Sequence, residues 1–149
     1  MSEPVKIDDR ITVGPTKINA DRIAELAGQG FKTIVNLRTE AEKEPSPTEE
    51  GDMVRGAGLH YVHIPVNTDA LNIGLGNRFH QEVSAVPGPV YVHCAAGKRA
   101  GTFATLHAGL AHGWTTEQTL AKAAELGFTA DSPKLEAFLA EYMADHSSA

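Results

Sequence analysis

The sequence predicts an α/β fold: a central, mostly parallel sheet of four to five strands flanked by helices. Three observations lead there. Apolar runs rich in β-branched residues recur at 31–37, 59–66 and 89–93. Segments with helical apolar spacing lie between them, opened by capping residues and closed by glycine or proline. Alternation of strand and helix implies parallel pairing through crossover connections. At 149 residues the chain is most simply one domain, 1–149, with room for a real core.

The elements follow in order. Residues 10–14, "RITVG", read as a short strand. Asn19 is placed to cap a helix whose inner face is Ala20, Ile23, Ala24 and Ala27, with Gly28 or Gly30 ending it. "FKTIVNL" at 31–37 is a strand. Ser46, Pro47 and Glu49 have capping-box spacing with proline at the first helical position, so a short helix begins there and stops near "GAG" at 56–58. "LHYVHIPV" gives the next strand, and a helix carrying Phe79, Val83 and Val86 follows. "PVYVH" at 89–93 is an apolar run of the kind buried inside a parallel sheet. Helix 99–113 presents Phe103, Leu106 and Leu110. Thr115 and Gln118 form a second capping box for helix 115–126. Ser132 and Pro133 open a last helix with Leu135, Phe138, Leu139, Tyr142 and Met143 on one stripe.

Composition narrows the function classes. Hydrophobic residues make up 42% and charged ones 21%, as in ordinary globular proteins. The formal charge of −6 argues against a nucleic-acid partner, since phosphate backbones attract basic surfaces. No apolar run approaches the roughly 20 residues of a membrane span, and "MSEPVKIDDR" lacks the character of a secretory signal. A single cysteine cannot close an internal disulfide, which fits a reducing cytoplasm.

That cysteine, Cys94, follows the "PVYVH" run and precedes "AAGKRAG", where a strand turns into a helix. In parallel α/β sheets ligands collect at the carboxyl ends of strands. Free N–H groups at a helix start and a nearby arginine both favour a thiolate and a bound oxyanion. Gly97 lets the backbone turn, while Ala95 and Ala96 keep side chains off a ligand. The plainer account is a buried core cysteine with Arg99 as a surface charge. The combination of strand, cysteine, small residues, glycine, arginine and helix favours a functional loop.

His93-Cys94-Ala95-Ala96-Gly97-Lys98-Arg99 resembles the phosphate-binding loop of cysteine-dependent protein tyrosine and dual-specificity phosphatases, and more closely that of the bacterial beta-lactamase-hydrolase-like phosphatases. "IVNLR" at 34–38, "GLHYVHIPV" at 58–66, "PGPVYVHC" at 87–94 and the "AAELGF" tail extend the resemblance over most of the chain. It implies a phosphatase-like α/β fold and a metal-free, cofactor-free hydrolase acting on a phosphorylated substrate or small oxyanion. Cys94 would be the nucleophile and Arg99 the anion clamp. Ala95, Ala96, Gly97, Lys98 and Ala100 would form the loop, with His93 supporting it from the strand. Only four residues separate Cys94 from Arg99, one fewer than the tyrosine phosphatase signature, which takes one amide out of the ring. Ala100 stands where that family places Ser or Thr, so modest turnover is expected; Thr102 is the nearest hydroxyl. The shortened loop also resembles that of rhodanese-like sulfurtransferases, and "NLRTEAE" is similar to their Asp-x-Arg-x-x-x-Glu stretch. A catalytically weak anion-binding module is the third class.

Expelling an alkoxide or phenoxide needs a general acid. Asp69, in "IPVNTDALN" and 25 residues before Cys94, lies where related phosphatases carry theirs; it could equally cap the next helix or form a turn. Lys98 either adds positive potential at the site or is simply solvated. Arg38 could reach an acidic substrate or pair with Glu40 or Glu42. His60 and His63 fall on opposite strand faces, and His107 and His112 have no acidic partner in register, so none of the four suggests a metal. Trp114 is expected to pack between helices.

Overall fold

The computed structural model describes residues 3–146. In chain order the elements are β1 (Val5–Lys6), β2 (Ile11–Val13), α1 (Ala20–Gly28), β3 (Thr33–Asn36), α2 (Pro47–Gly56), β4 (His60–His63), α3 (Ile73–Ser84), β5 (Val90–His93), α4 (Lys98–His112), α5 (Thr116–Glu125) and α6 (Pro133–His146). One sheet of five strands runs β1-β2-β5-β3-β4. β2, β5, β3 and β4 are parallel, and β1 joins the edge antiparallel to β2. β5, with a parallel neighbour on each side, is buried at all four positions, as its unbroken apolar run requires.

Each face of the sheet has its own core. Alternation along β5 sends Val90, Val92 and Cys94 to one side and Tyr91 to the other. The larger core gathers Phe79 and Val83 of α3, Phe103 and Leu106 of α4, Ala123 of α5, and Phe138, Leu139 and Tyr142 of α6. The smaller one places Ile23 and Leu26 of α1 and Val54 of α2 against Ile34 and Tyr91. α4 lies in the middle of the larger layer, and close approach is built into it. A Cβ on Gly101 would come within 2.1 Å of the Phe128 ring, so the loop after α5 can cover the start of α4 only because Gly101 has no side chain.

Helix starts agree with the capping residues. Asn19, Ser46 and Thr115 each accept a backbone N–H, and both capping boxes close with Glu49 and Gln118. Three elements differ from expectation. β1 has only two residues, too short to carry a period. α3 stops at Ser84, before Val86, because Arg10 Nη2 takes the carbonyls of Val83 and Val86 at 2.6 Å each and so holds the chain out of the helix. Ladder pairing in the fourth strand ends at His63, although Ile64 and Val66 continue to donate to Asn36 and Leu37 carbonyls.

His107 has a partner that its helix position concealed. Its Nε2 faces Arg10 Nη1 at 3.5 Å, and its Nδ1 lies 2.9 Å from Nδ1 of His80 on α3. A guanidinium only donates, so Nε2 accepts, and the His107 proton sits on Nδ1 and is donated to His80. Burial first, then the His80 ring and the Arg10 charge, hold His107 down to about 4. Burial also lowers His80. Both imidazoles are therefore folded neutral, while the unfolded chain protonates them near 6.5. Stability is fully present above that value and falls as pH drops from about 6.5 toward about 4. Urea denaturation across this window should show the loss, and His107→Gln should flatten the slope.

Candidate active site

The loop from Cys94 to Gly97 joins the central strand to the central helix. Gly97 has φ of 91°, a left-handed conformation that favours glycine, and it is the N-cap of α4. No side-chain oxygen caps this helix. The sulfur of Cys94 takes that place: Gly97 N–H donates to Sγ at 3.1 Å and Ala100 N–H at 3.4 Å. Two orphan donors and the positive end of the helix dipole thus converge on one sulfur. Cys94 is buried, whereas Ala95 and Ala96 are exposed, so the loop offers backbone rather than side chain to whatever approaches.

Arg99, in the first turn of α4, is fixed from three directions. Nη1 donates to Glu42 Oε2 at 2.9 Å and to the Val66 carbonyl at 3.0 Å, with a longer contact of 3.5 Å to the Leu37 carbonyl. Nη2 donates to Glu42 Oε1 at 2.7 Å. The carboxylate takes the end of the guanidinium fork. The guanidinium also lies beside the Cys94 sulfur, within hydrogen-bonding reach of it. The bonds to Glu42, and after them the neighbouring Cys94 sulfur, hold Arg99 firmly charged. The same Arg99 bonds, with help from the Thr39 amide, bring Glu42 down to about 2. Glu42 is accordingly an anion at every working pH and cannot serve as a proton donor.

Behind the loop lies a buried polar layer. The ring of His93 hydrogen-bonds Glu50 of α2, Nε2 to Oε2, at 2.7 Å, with both side chains fully buried. Glu50 Oε1 and His93 Nδ1 have no further partner. Its own carbonyl accepts Leu37 N–H at 2.9 Å, so His93 ties α2, β3 and β5 at the residue before the sulfur. Burial, then the Glu50 charge, pushes the Tyr61 hydroxyl up; it accepts from Asn36 and donates to the Pro47 carbonyl.

The remaining expected residues lie as follows. Lys98 turns its ammonium to the Ala130 carbonyl at 2.6 Å, at the rim of a cleft of about 320 Å³ formed by Ala96, Gly97, Glu125 and Phe128. Asp69 is exposed and paired with Lys134 of α6, which lowers its carboxyl. It lines a groove of about 510 Å³ with Leu71, Phe138 and Glu141, and no bond ties it to the Cys94 loop. Asn72, not Asp69, caps α3. Arg38 neither opens to a ligand nor pairs with Glu40 or Glu42; it is buried against backbone carbonyls. His112 does have an acidic partner, Asp8, from outside its helix. Glu42 and Glu50 went unrecognised as site residues. The spacing from Arg38 to Glu42 was a usable signal, but Glu50 sits in an acidic helical turn that reads as solvated. Among the described residues no three of His, Cys, Asp and Glu cluster as a metal-ligand set.

Residues 6–111 match the family described as beta-lactamase hydrolase-like protein, phosphatase-like domain. The chain belongs to that family. The beta-lactamase hydrolase-like protein of Agrobacterium fabrum is 35% identical over 104 residues, 68% of this chain and 24% of that protein. Its counterpart in Xylella fastidiosa is 30% identical over 98 residues, 64% of this chain and 22% of that protein. The chain thus spans about a quarter of the length of these relatives. Among solved structures, a DUF442 phosphatase-family protein of Shewanella putrefaciens is 27% identical with a TM-score of 0.78, covering 95% of this chain and 89% of that one. Tk-PTP in its active form gives 0.79 at 17% identity, covering 95% and 97% of the two chains. Pseudomonas aeruginosa TpbA, solved with phosphotyrosine, gives 0.75 at 19%, covering 93% and 83%. The fold of this phosphatase-like domain is therefore that of the protein tyrosine phosphatase-like structures.

Removing one member of a buried, hydrogen-bonded pair strands the other. Glu50→Ala should cost about 3–5 kcal/mol, measured as a lowered denaturant midpoint with the slope unchanged.

Proposed function

We propose that this domain is a cysteine-dependent hydrolase of phosphomonoesters, working in the cytoplasm through a cysteinyl-phosphate. One observation carries the reading: helix-start amides and the Arg99 guanidinium meet at the Cys94 sulfur. The family match and the phosphotyrosine bound to TpbA support a phosphorylated substrate. The Cys94 thiolate attacks phosphorus while the loop amides and Arg99 hold the equatorial oxygens. The P–O bond breaks, and Asp69 gives its proton to the departing alkoxide or phenoxide. Water then attacks the thiophosphate with Asp69 as base, which releases phosphate and restores the thiolate. For this role Asp69 must leave Lys134, an exposed ion pair that solvent screens.

A second reading, sulfur transfer through a Cys94 persulfide, is favoured by one feature. The four-residue spacing draws the Gly97 and Ala100 amides onto the sulfur itself, a ring suited to a single charged sulfur atom. Aryl phosphate, and separately thiosulfate with cyanide, discriminate the two. Vanadate-sensitive phenol release, abolished in Cys94→Ser, is the expected result. Thiocyanate formation without phosphate release would transfer the assignment to sulfur chemistry. Silence in both with oxyanion still bound would leave a binding module.

Asp69→Asn should slow esters with poor leaving groups at least tenfold more than those with good ones. Equal slowing of both would remove Asp69 from the acid role.

A further inference from the structure

Arg38 is buried at 2% exposure and makes no ion pair among the described residues. An unpaired buried cation is costly, so its hydrogen bonds must hold something in exchange. Nη1 donates to the Pro45 carbonyl and Nη2 to the Lys43 carbonyl, both at 2.8 Å. Its backbone is pinned as well: the amide donates to Asn36 Oδ1 at 2.8 Å, and His63 Nε2 donates to the carbonyl at 2.6 Å. Arg38 thus stands rigidly at the end of β3 and reaches across the 39–46 loop to grip its far half.

That loop carries Glu42. Its first half is a turn closed by Glu42 N–H on the Thr39 carbonyl at 3.0 Å and by Thr39 N–H on Glu42 Oε2 at 2.5 Å. Thr39 to Glu44 are otherwise half-buried or exposed, with no apolar anchor of their own. The Glu42 carboxylate then forks onto Arg99. We propose that Arg38 is a positioning residue for the site: by holding the Lys43 and Pro45 carbonyls it fixes the loop from which Glu42 orients the Arg99 guanidinium toward the Cys94 loop. A lysine cannot replace it, because one ammonium on a flexible stem lacks the planar fork that spans two carbonyls. The functional part of the inference rests on the reading of Arg99 as the oxyanion clamp.

Two measurements separate the inference from that reading. Nitrogen-15 NMR of the Arg99 side chain reports whether its guanidinium is held, with no reference to catalysis. Protection of Cys94, the chain's sole cysteine, from iodoacetamide by inorganic vanadate reports oxyanion binding. In Arg38→Lys, the slowly rotating Arg99 signals of the wild type should merge, and vanadate protection should weaken about tenfold. Glu42→Gln should do the same. The double variant should be no worse than either single one, since both act through one link. Unchanged Arg99 signals in Arg38→Lys, or effects that multiply in the double variant, would overturn the inference. If Arg38→Lys does not fold, Glu42→Gln still decides, because a held guanidinium and wild-type vanadate affinity there would cut the proposed chain. Merged Arg99 signals together with no vanadate protection of wild-type Cys94 would leave the positioning role standing and remove the oxyanion reading.

Discussion

Two backbone N–H groups at the start of α4 point at the sulfur of Cys94, and no side-chain oxygen caps that helix. A helix start buried in the middle of a domain must have its donors satisfied. An ordinary cap would have used Ser, Thr, Asp or Asn; a thiol there leaves the helix dipole aimed at an atom capable of nucleophilic attack. Much of the surrounding structure keeps that geometry in place. Gly97 supplies the left-handed turn, and Gly101 lets Phe128 close over the helix. His93, bonded to Glu50, secures the strand end from the opposite face of the sheet.

Charge in the site is arranged in pairs rather than concentrated. Glu42 balances most of Arg99, Asp69 meets Lys134, and Lys98 is spent on a carbonyl. The uncompensated donors are directional: the backbone amides and the guanidinium that meet at the Cys94 sulfur. Hydrogen-bond donors aimed at one point do not need a basic surface, so the net charge of −6 is compatible with the proposed function. Glu42 is tied down by Arg99, whereas Asp69 is held only by an exposed lysine.

Four residues separate Cys94 from Arg99, and the Gly97 and Ala100 amides both point at the sulfur. The fold is shared with protein tyrosine phosphatase-like structures. Fold alone does not specify the chemistry of the site.

Helices, their caps and the central strand were legible in the chain itself, because Asn19, Ser46–Glu49 and Thr115–Gln118 satisfy neighbours three residues away and β5 is a continuous apolar run. Cys94, Gly97 and Arg99 were legible for the same reason: they share one short segment, and local backbone geometry brings them together. The partners that orient them were not. Glu42 lies 57 residues from Arg99, and Glu50 lies 43 from His93. In sequence Glu50 reads as a solvated acid, Glu42 as a local partner for Arg38, and Arg38 as a residue that reaches a substrate or pairs with Glu40 or Glu42. Only the crossing of β3 beside β5, with α2 laid over their ends, sets Glu42 against Arg99, Glu50 against His93 and Arg38 against the Lys43 and Pro45 carbonyls. The chain's local chemistry chose where the Cys94 sulfur would be, and long-range packing chose what holds its surroundings, because a buried charge acquires its meaning from neighbours that no spacing along the chain encodes.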